Sequence, residues 1–167
     1  MTEHAQQVAM IAHALVLIEN RKFGADLNPD RAAVLALYHD ASETITGDLP
    51  TPIKYYNREI LGSYRAVEDY AKDTLLDKLP AYLQEDYSEI LNGELEPEWA
   101  FVKAADTLSA YLKCVTERQA GNREFLSAEQ TLWAKLQTIP LNSLRVFEEE
   151  FLDGYGKTLD EMTEETL

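Results

Sequence analysis

Cysteine is almost absent from this chain, with Cys114 the single one in 167 residues. No internal disulfide can form, and the neighbours Tyr111, Leu112 and Val115 set Cys114 in a helical apolar pattern. That fits a reducing, cytoplasmic compartment and a buried thiol rather than a nucleophile. Positive charge is scarce too: fifteen Lys and Arg stand against thirty Asp and Glu, a net charge of -15. The clustered cations that hold a DNA or RNA polymer are therefore missing, and no nucleic-acid partner is expected. A small anionic substrate is still allowed, because exposed charges are screened beyond about 8 Å and a local cation decides whether a phosphate binds. Long apolar runs are lacking as well. The longest, Ala32 to Tyr38, is far too short to span a bilayer, and the start Met1-Thr2-Glu3-His4 does not read as a signal peptide, so no membrane partner is expected. There is no glycine-rich phosphate loop, no Ser, His and Asp pattern of a nucleophilic triad, no internal repeat and no run that alternates like a strand.

What is present is helical periodicity with enough apolar content, 46% of 167 residues, for one core. His4, Val8, Ile11, Leu15 and Ile18 recur at three- and four-residue steps, which predicts a helix beginning at Thr2 as N-cap with His4 pointing inward. His13 lies about half a turn away from that stripe by the helical period and reads as ordinary. Asn28-Pro29 is a cap followed by a first-turn proline, and Ala32 to Leu37 is apolar on every side, so this second helix should be central and buried. It carries His39 and Asp40 at its C-terminal end. Thr46 to Pro52, with one glycine and two prolines, must be a loop. Further helices are predicted from Asn57 to Leu79, on to Asn92-Gly93, from Pro97 to Gly121-Asn122 with Phe101, Ala105, Leu108, Leu112 and Val115 inward, and near Glu124 to Gln137 and Leu141 to Phe151. The fold class is all-α, a bundle of about six to seven helices, with a single domain over residues 1–155 and an acidic, frayed tail over 156–167.

Four side chains on three of these segments could share an ion: His4, the pair His39 and Asp40, and Asp106. Two imidazoles and two carboxylates suit one divalent transition ion such as Mn, Co, Fe, Ni or Zn. Adjacent helical residues are about 100° apart, so His39 and Asp40 can share an ion only if it lies in the angle between them. His4 and Asp106 complete the set because each sits on or beside an apolar face, where an unpaired charge needs a partner or a metal. The His-Asp dipeptide taken alone reads as a helix-end histidine beside a solvated aspartate rather than as a metal site. Glu43, four residues after His39, projects over the same side if the helix continues and could act on a bound water; its rival reading is a solvated surface carboxylate. Asp48 has a rival reading as a turn residue. Lys54, Arg58 and Lys103 are the nearby cations, each also suited to a surface ion pair, and Tyr55-Tyr56 fits packing as well as base stacking.

Taken together, Glu3-His4, Tyr38-His39-Asp40-Ala41-Ser42-Glu43, Thr46-Gly47-Asp48-Leu49-Pro50-Thr51-Pro52-Ile53-Lys54 and Lys103-Ala104-Ala105-Asp106 resemble the HD-domain phosphohydrolases. Within them the pattern is similar to the bacterial 5'-deoxynucleotidases of YfbR type, from the first residues past Tyr111-Leu112-Lys113-Cys114. The resemblance implies a metal-dependent hydrolase that removes phosphate from 2'-deoxyribonucleoside 5'-monophosphates and forms a homodimer. It implies that His4, His39, Asp40 and Asp106 bind one divalent ion, and that Glu43 is the catalytic carboxylate. It also implies that Asp48, Leu49, Pro50 and Thr51 contact the nucleotide together with His4, Asp40 and Asp106. The match begins almost at Met1, ahead of which family members usually carry a further segment with an Arg-Trp pair that orients the phosphate. This departure leaves three accounts open: a truncated or misassigned start, another cation such as Lys54 in that task, or loss of full activity. Two other readings stand beside this one: a deoxynucleoside triphosphate triphosphohydrolase using the same site, which needs more cations than the motif region offers, and a metal-binding, catalytically weak helical protein serving interaction or regulation.

Overall fold

The computed structural model describes residues 2–49, 53, 56–157 and 159–164. Among them no strand occurs, as the absence of alternation implied, and the chain runs through α1 (Thr2–Phe23), α2 (Pro29–Tyr38), α3 (Glu43–Thr46), α4 (Arg58–Asp77), α5 (Ala81–Leu91), α6 (Trp99–Gln119), α7 (Leu126–Thr138), α8 (Asn142–Phe151) and α9 (Leu159–Glu164). Seven of these are ten residues or longer, while α3 and α9 are short pieces. Thr2 lies inside α1 instead of capping it, and α9 is helical where a frayed tail was expected.

The core sits between α1, α2 and α6. Val8, Ile11, Ala12, Leu15 and Val16 of α1 pack with Ala32, Leu35 and Ala36 of α2 and Val102, Ala105 and Leu108 of α6, and Leu136, Leu144 and Phe147 close it from α7 and α8. Leu15, Leu35 and Leu108 are wholly buried, so truncating any one to Ala should cost about 2–5 kcal/mol. Two expectations are corrected. The second helix is not buried all round, since Leu37 is 50% exposed: α2 is covered by α1 and α6 on one side only. In α6 Val115, expected inward, is only partly buried, while Cys114 beside it is buried as expected.

Local chemistry sets α1 against α2. Gly24 follows the last residue of α1 with φ +74°, a left-handed conformation that costs a residue without Cβ little. Asn20 then clamps the return: its Nδ2 donates to the Leu27 carbonyl at 2.8 Å, and its Oδ1 accepts from the Leu27 amide at 3.1 Å. Asn28 caps α2 by accepting from the Arg31 amide at 3.0 Å, with Pro29 at the first helical position. The Asn28 amide in turn donates to Oε1 of the buried Glu98 at 2.9 Å, which ties the start of α2 to the start of α6. A connection this short makes α1 and α2 antiparallel, and that brings the beginning of α1 and the end of α2, hence His4 and His39, to one end of the bundle.

Candidate functional site

The site begins where α2 stops. His39 is the C-cap residue, and its Nδ1 donates to the Ala36 carbonyl at 2.7 Å, one of the orphan acceptors of a helix end. The helix does not continue through Glu43, in contrast to the regular turn on which the placement of Glu43 was based. The amides of Ala41, Glu43 and Thr44 donate three residues back, to Tyr38, Asp40 and Ala41, at 3.0–3.2 Å. In such a tightened turn residues three apart eclipse, so Asp40 and Glu43 still line the same two clefts. No Gly or Pro lies between Tyr38 and Glu43, so this break had no signal in the sequence. Gly47 does end α3, at φ +70°, with its amide donating to the Glu43 carbonyl at 2.9 Å.

His4, His39 and Asp40 each turn one donor atom to a common point, and these atoms all lie within 4.8 Å of one another. His39 Nε2 stands 3.0 Å from Asp40 Oδ2, and His4 Nε2 stands 3.8 Å from the same oxygen. Asp106 adjoins them from the second turn of α6, its Oδ1 3.3 Å from His4 Nε2 and 3.8 Å from His39 Nε2. Metal bonds of about 2.1 Å place neighbouring donors about 3.0–3.4 Å apart and opposed ones about 4.2 Å, so these spacings fit a single ion. The His39 side chain is 1% exposed, and its Nε2 is a buried atom with no hydrogen-bond partner among the described residues: Asp40 is close but off the axis of such a bond. A buried ring nitrogen facing two carboxylates and a second imidazole is a place for positive charge, which a metal ion would supply on displacing the ring proton.

The charges at this point are strongly coupled. Burial of His39 opposes its charged form, but the Asp106 and Asp40 carboxylates outweigh that and, without an ion, hold its pKa up to about 9. Burial likewise opposes ionisation of Asp106, yet His39, His4 and the Lys103 ammonium, 3.3 Å from Oδ2, keep it far below the usual carboxylate range.

Two clefts hold most of these residues, and a third, about 590 Å³, reaches His4 beside Gln7 and Ser109. The larger of the two, about 810 Å³, is lined by His4, Asp40, Glu43, Asp48, Leu49, Lys103 and Asp106 together with Lys113 of α6 and Phe125, Leu132 and Lys135 of the α7 region. The smaller, about 500 Å³, shares Asp40, Glu43 and Lys103 with it, adds His39 and extends to Arg65 and Lys72 of α4. Asp48 and Leu49 therefore open to the same space as His4, Asp40 and Asp106. Pro50 and Thr51 lie outside the described residues, as do Lys54 and Tyr55; Tyr56 is exposed. Arg58 begins α4 and lines neither cleft, and His13 pairs instead with Asp30, Nε2 to Oδ1 3.6 Å. Lys103, by contrast, lines both clefts and stands 6.0 Å from the Trp99 ring centroid. The sequence pattern did not point to Phe125 or Leu132, because nothing local distinguishes an aromatic at a helix start that faces a cleft from one that packs. Nor did it point to Ser109, whose Oγ lies 3.2 Å from His4 Nδ1.

Comparison with known proteins gives a consistent picture. A family model described as 5'-deoxynucleotidase YfbR-like matches residues 1–155. The chain is 46% identical over 169 residues to a 5'-deoxynucleotidase of Erwinia tasmaniensis, covering 100% of this chain and 85% of that protein. It is 45% identical over 168 residues to 5'-deoxynucleotidase YfbR of Escherichia coli O1:K1 / APEC, covering 99% and 84%. Among solved structures it is similar to an HD-domain phosphohydrolase from Listeria innocua, with a TM-score of 0.78 and 25% identity over 92% of this chain and 75% of the other.

Proposed function

The chain belongs to the YfbR-like 5'-deoxynucleotidase family, and from that premise we propose how its own residues carry the family's reaction. The reaction is hydrolysis of a 2'-deoxyribonucleoside 5'-monophosphate to the deoxynucleoside and phosphate. The observation that carries the reading of the site is the convergence of donor atoms from His4, His39 and Asp40 within 4.8 Å, beside Asp106 and on the wall of a cleft.

In this reading His4, His39, Asp40 and Asp106 hold one divalent ion, Mn, Co or another transition metal. When bound, such an ion supplies a Lewis acid that activates water and neutralises a phosphate oxygen. Glu43 takes the proton of the attacking water, and that proton is the one the leaving 5'-oxygen requires. Lys103 offers the phosphate a cation from the edge shared by both clefts. Asp48 and Leu49 meet the deoxyribose, together with Pro50 and Thr51, while Phe125 and Leu132 give the base an apolar wall. The proposal also includes a cytoplasmic homodimer with no nucleic-acid polymer or membrane as partner. No helix of the described residues is long and apolar enough to cross a membrane, and exposed apolar side chains such as Met10 and Leu37 are available to an interface.

Phosphate release tests it, with Mn or Co added, across deoxynucleoside monophosphates, matched ribonucleotides and deoxynucleoside triphosphates. Release confined to the deoxy monophosphates is expected. Release of triphosphate from deoxynucleoside triphosphates, or no release from a metal-loaded protein, would overturn it.

A further inference from the structure

We propose that Ser109, held by Gln7, is a positioning residue that fixes the His4 imidazole with Nε2 facing the metal centre. The inference rests on the metal reading above and adds to it a determinant of ion affinity that lies outside the donor set. Ser109 is 1% exposed. Its Oγ donates to Gln7 Oε1 at 2.7 Å and lies 3.2 Å from His4 Nδ1. A hydroxyl has one proton to give. With that proton committed to Gln7, Oγ faces His4 as an acceptor, so Nδ1 must carry the imidazole proton and Nε2 keeps its lone pair. That lone pair lies 3.3 Å from Asp106 Oδ1 and 3.8 Å from Asp40 Oδ2, on the side where the other donors converge.

The arrangement repeats on both helices. On α1 His4 is followed three residues later by Gln7, and on α6 Asp106 is followed three residues later by Ser109. Each helix thus presents a donor and, one turn on, a supporting group on the same face. The need for support differs between the two imidazoles. The Nδ1 of His39 is held by the Ala36 backbone carbonyl, which no side-chain replacement removes. His4, near the start of α1 and 34% exposed at its side chain, has no such backbone partner for Nδ1 among the described residues, and Ser109 meets that atom instead. An unsupported imidazole samples both tautomers and several ring rotations, and only one combination presents Nε2 to the site.

The test is Mn(II) titration of the full-length, metal-free chain, read as free Mn(II) by electron paramagnetic resonance, for wild type, Ser109→Ala, Ser109→Thr and Gln7→Leu. Ser109→Ala should bind about tenfold more weakly, Gln7→Leu should weaken binding in the same direction, and Ser109→Thr, which keeps the hydroxyl, should restore it. Long-range proton–nitrogen correlation spectra should show His4 protonated on Nδ1 in the wild type and mixed in Ser109→Ala. This second readout holds even if a variant loses stability. Wild-type affinity and an unchanged tautomer in Ser109→Ala would overturn the inference alone. A wild-type chain that takes up no divalent ion would overturn it together with the metal reading.

Discussion

At the scale of single residues, the site separates groups that hold charge from groups that move protons. His39 is buried and backbone-oriented with its Nε2 turned to the Asp40 and Asp106 carboxylates, so His39→Ala should abolish ion uptake along with turnover. Glu43→Gln should keep the ion and lower kcat by about a hundredfold or more, the usual contribution of a positioned general base. Metal analysis of both purified variants beside phosphate release checks this; a His39→Ala protein that still loads metal would contradict the assignment. The two residues are close neighbours in sequence, yet their roles were not legible from the spacing. What keeps Glu43 beside Asp40 is the three-residue step of the turn at Ala41 to Thr44.

At the scale of elements, the contact between α2 and the turn Gly93–Leu95 matters because α2 delivers His39. A Cβ on Gly93 would sit 2.3 Å from Leu35 Cδ2, and Leu35 is wholly buried with no room to swing aside. Gly93→Ala should therefore destabilise the protein by about 1–3 kcal/mol through overpacking. Thermal denaturation is the measurement, and an unchanged Tm would show that Leu35 can repack. In the sequence Gly93 reads as a C-cap glycine, but the reason it must be small is the side chain of a helix nearly sixty positions earlier. The start of α7 raises a similar case. If the Phe125 side chain supports the base, Phe125→Ala should raise KM for deoxynucleoside monophosphates about tenfold, the order of one stacking contact, with kcat little altered. Turnover of 2-deoxyribose 5-phosphate, which has no base, should be untouched; equal effects on both substrates would place the base elsewhere.

At the scale of the whole molecule, the electrostatics of the donor cluster couple folding, metal and pH. Without an ion, His39 has a folded-state pKa of about 9, raised above the unfolded value of about 6.5. The stability this contributes is complete below pH 6.5 and is lost as pH rises through 9, with a slope approaching about 1.4 kcal/mol per pH unit. Asp106, depressed in the fold, contributes in the opposite sense: its share is present above the unfolded carboxylate range and lost only in strong acid. Chelated protein should thus lose Tm between pH 6.5 and 9, and His39→Gln should flatten that profile; a flat wild-type curve would refute the coupling. Ion binding must displace the His39 proton, so Mn affinity should climb with pH and level off near 9. At a hundredfold excess over Kd the ion should add about 2.7 kcal/mol to stability, visible as a fall in Tm on chelation.

Periodicity and composition determined the all-α class, the order of the long helices and the inward stripes of α1 and most of α6, because a 3.6-residue repeat is a local property and the hydrophobic effect needs no knowledge of the partner. Asn28-Pro29, Gly47 and the motif residues are equally local, and the family could be identified from them. Only the tertiary structure decided that the Gly24 turn and the Asn20 clamp bring His4 to His39, and that Leu37 stays exposed on the uncovered side of α2. It also decided that Ser109 and Phe125 face the site. These are distances between residues far apart in the chain, set by how whole helices pack, and no spacing within one segment encodes them.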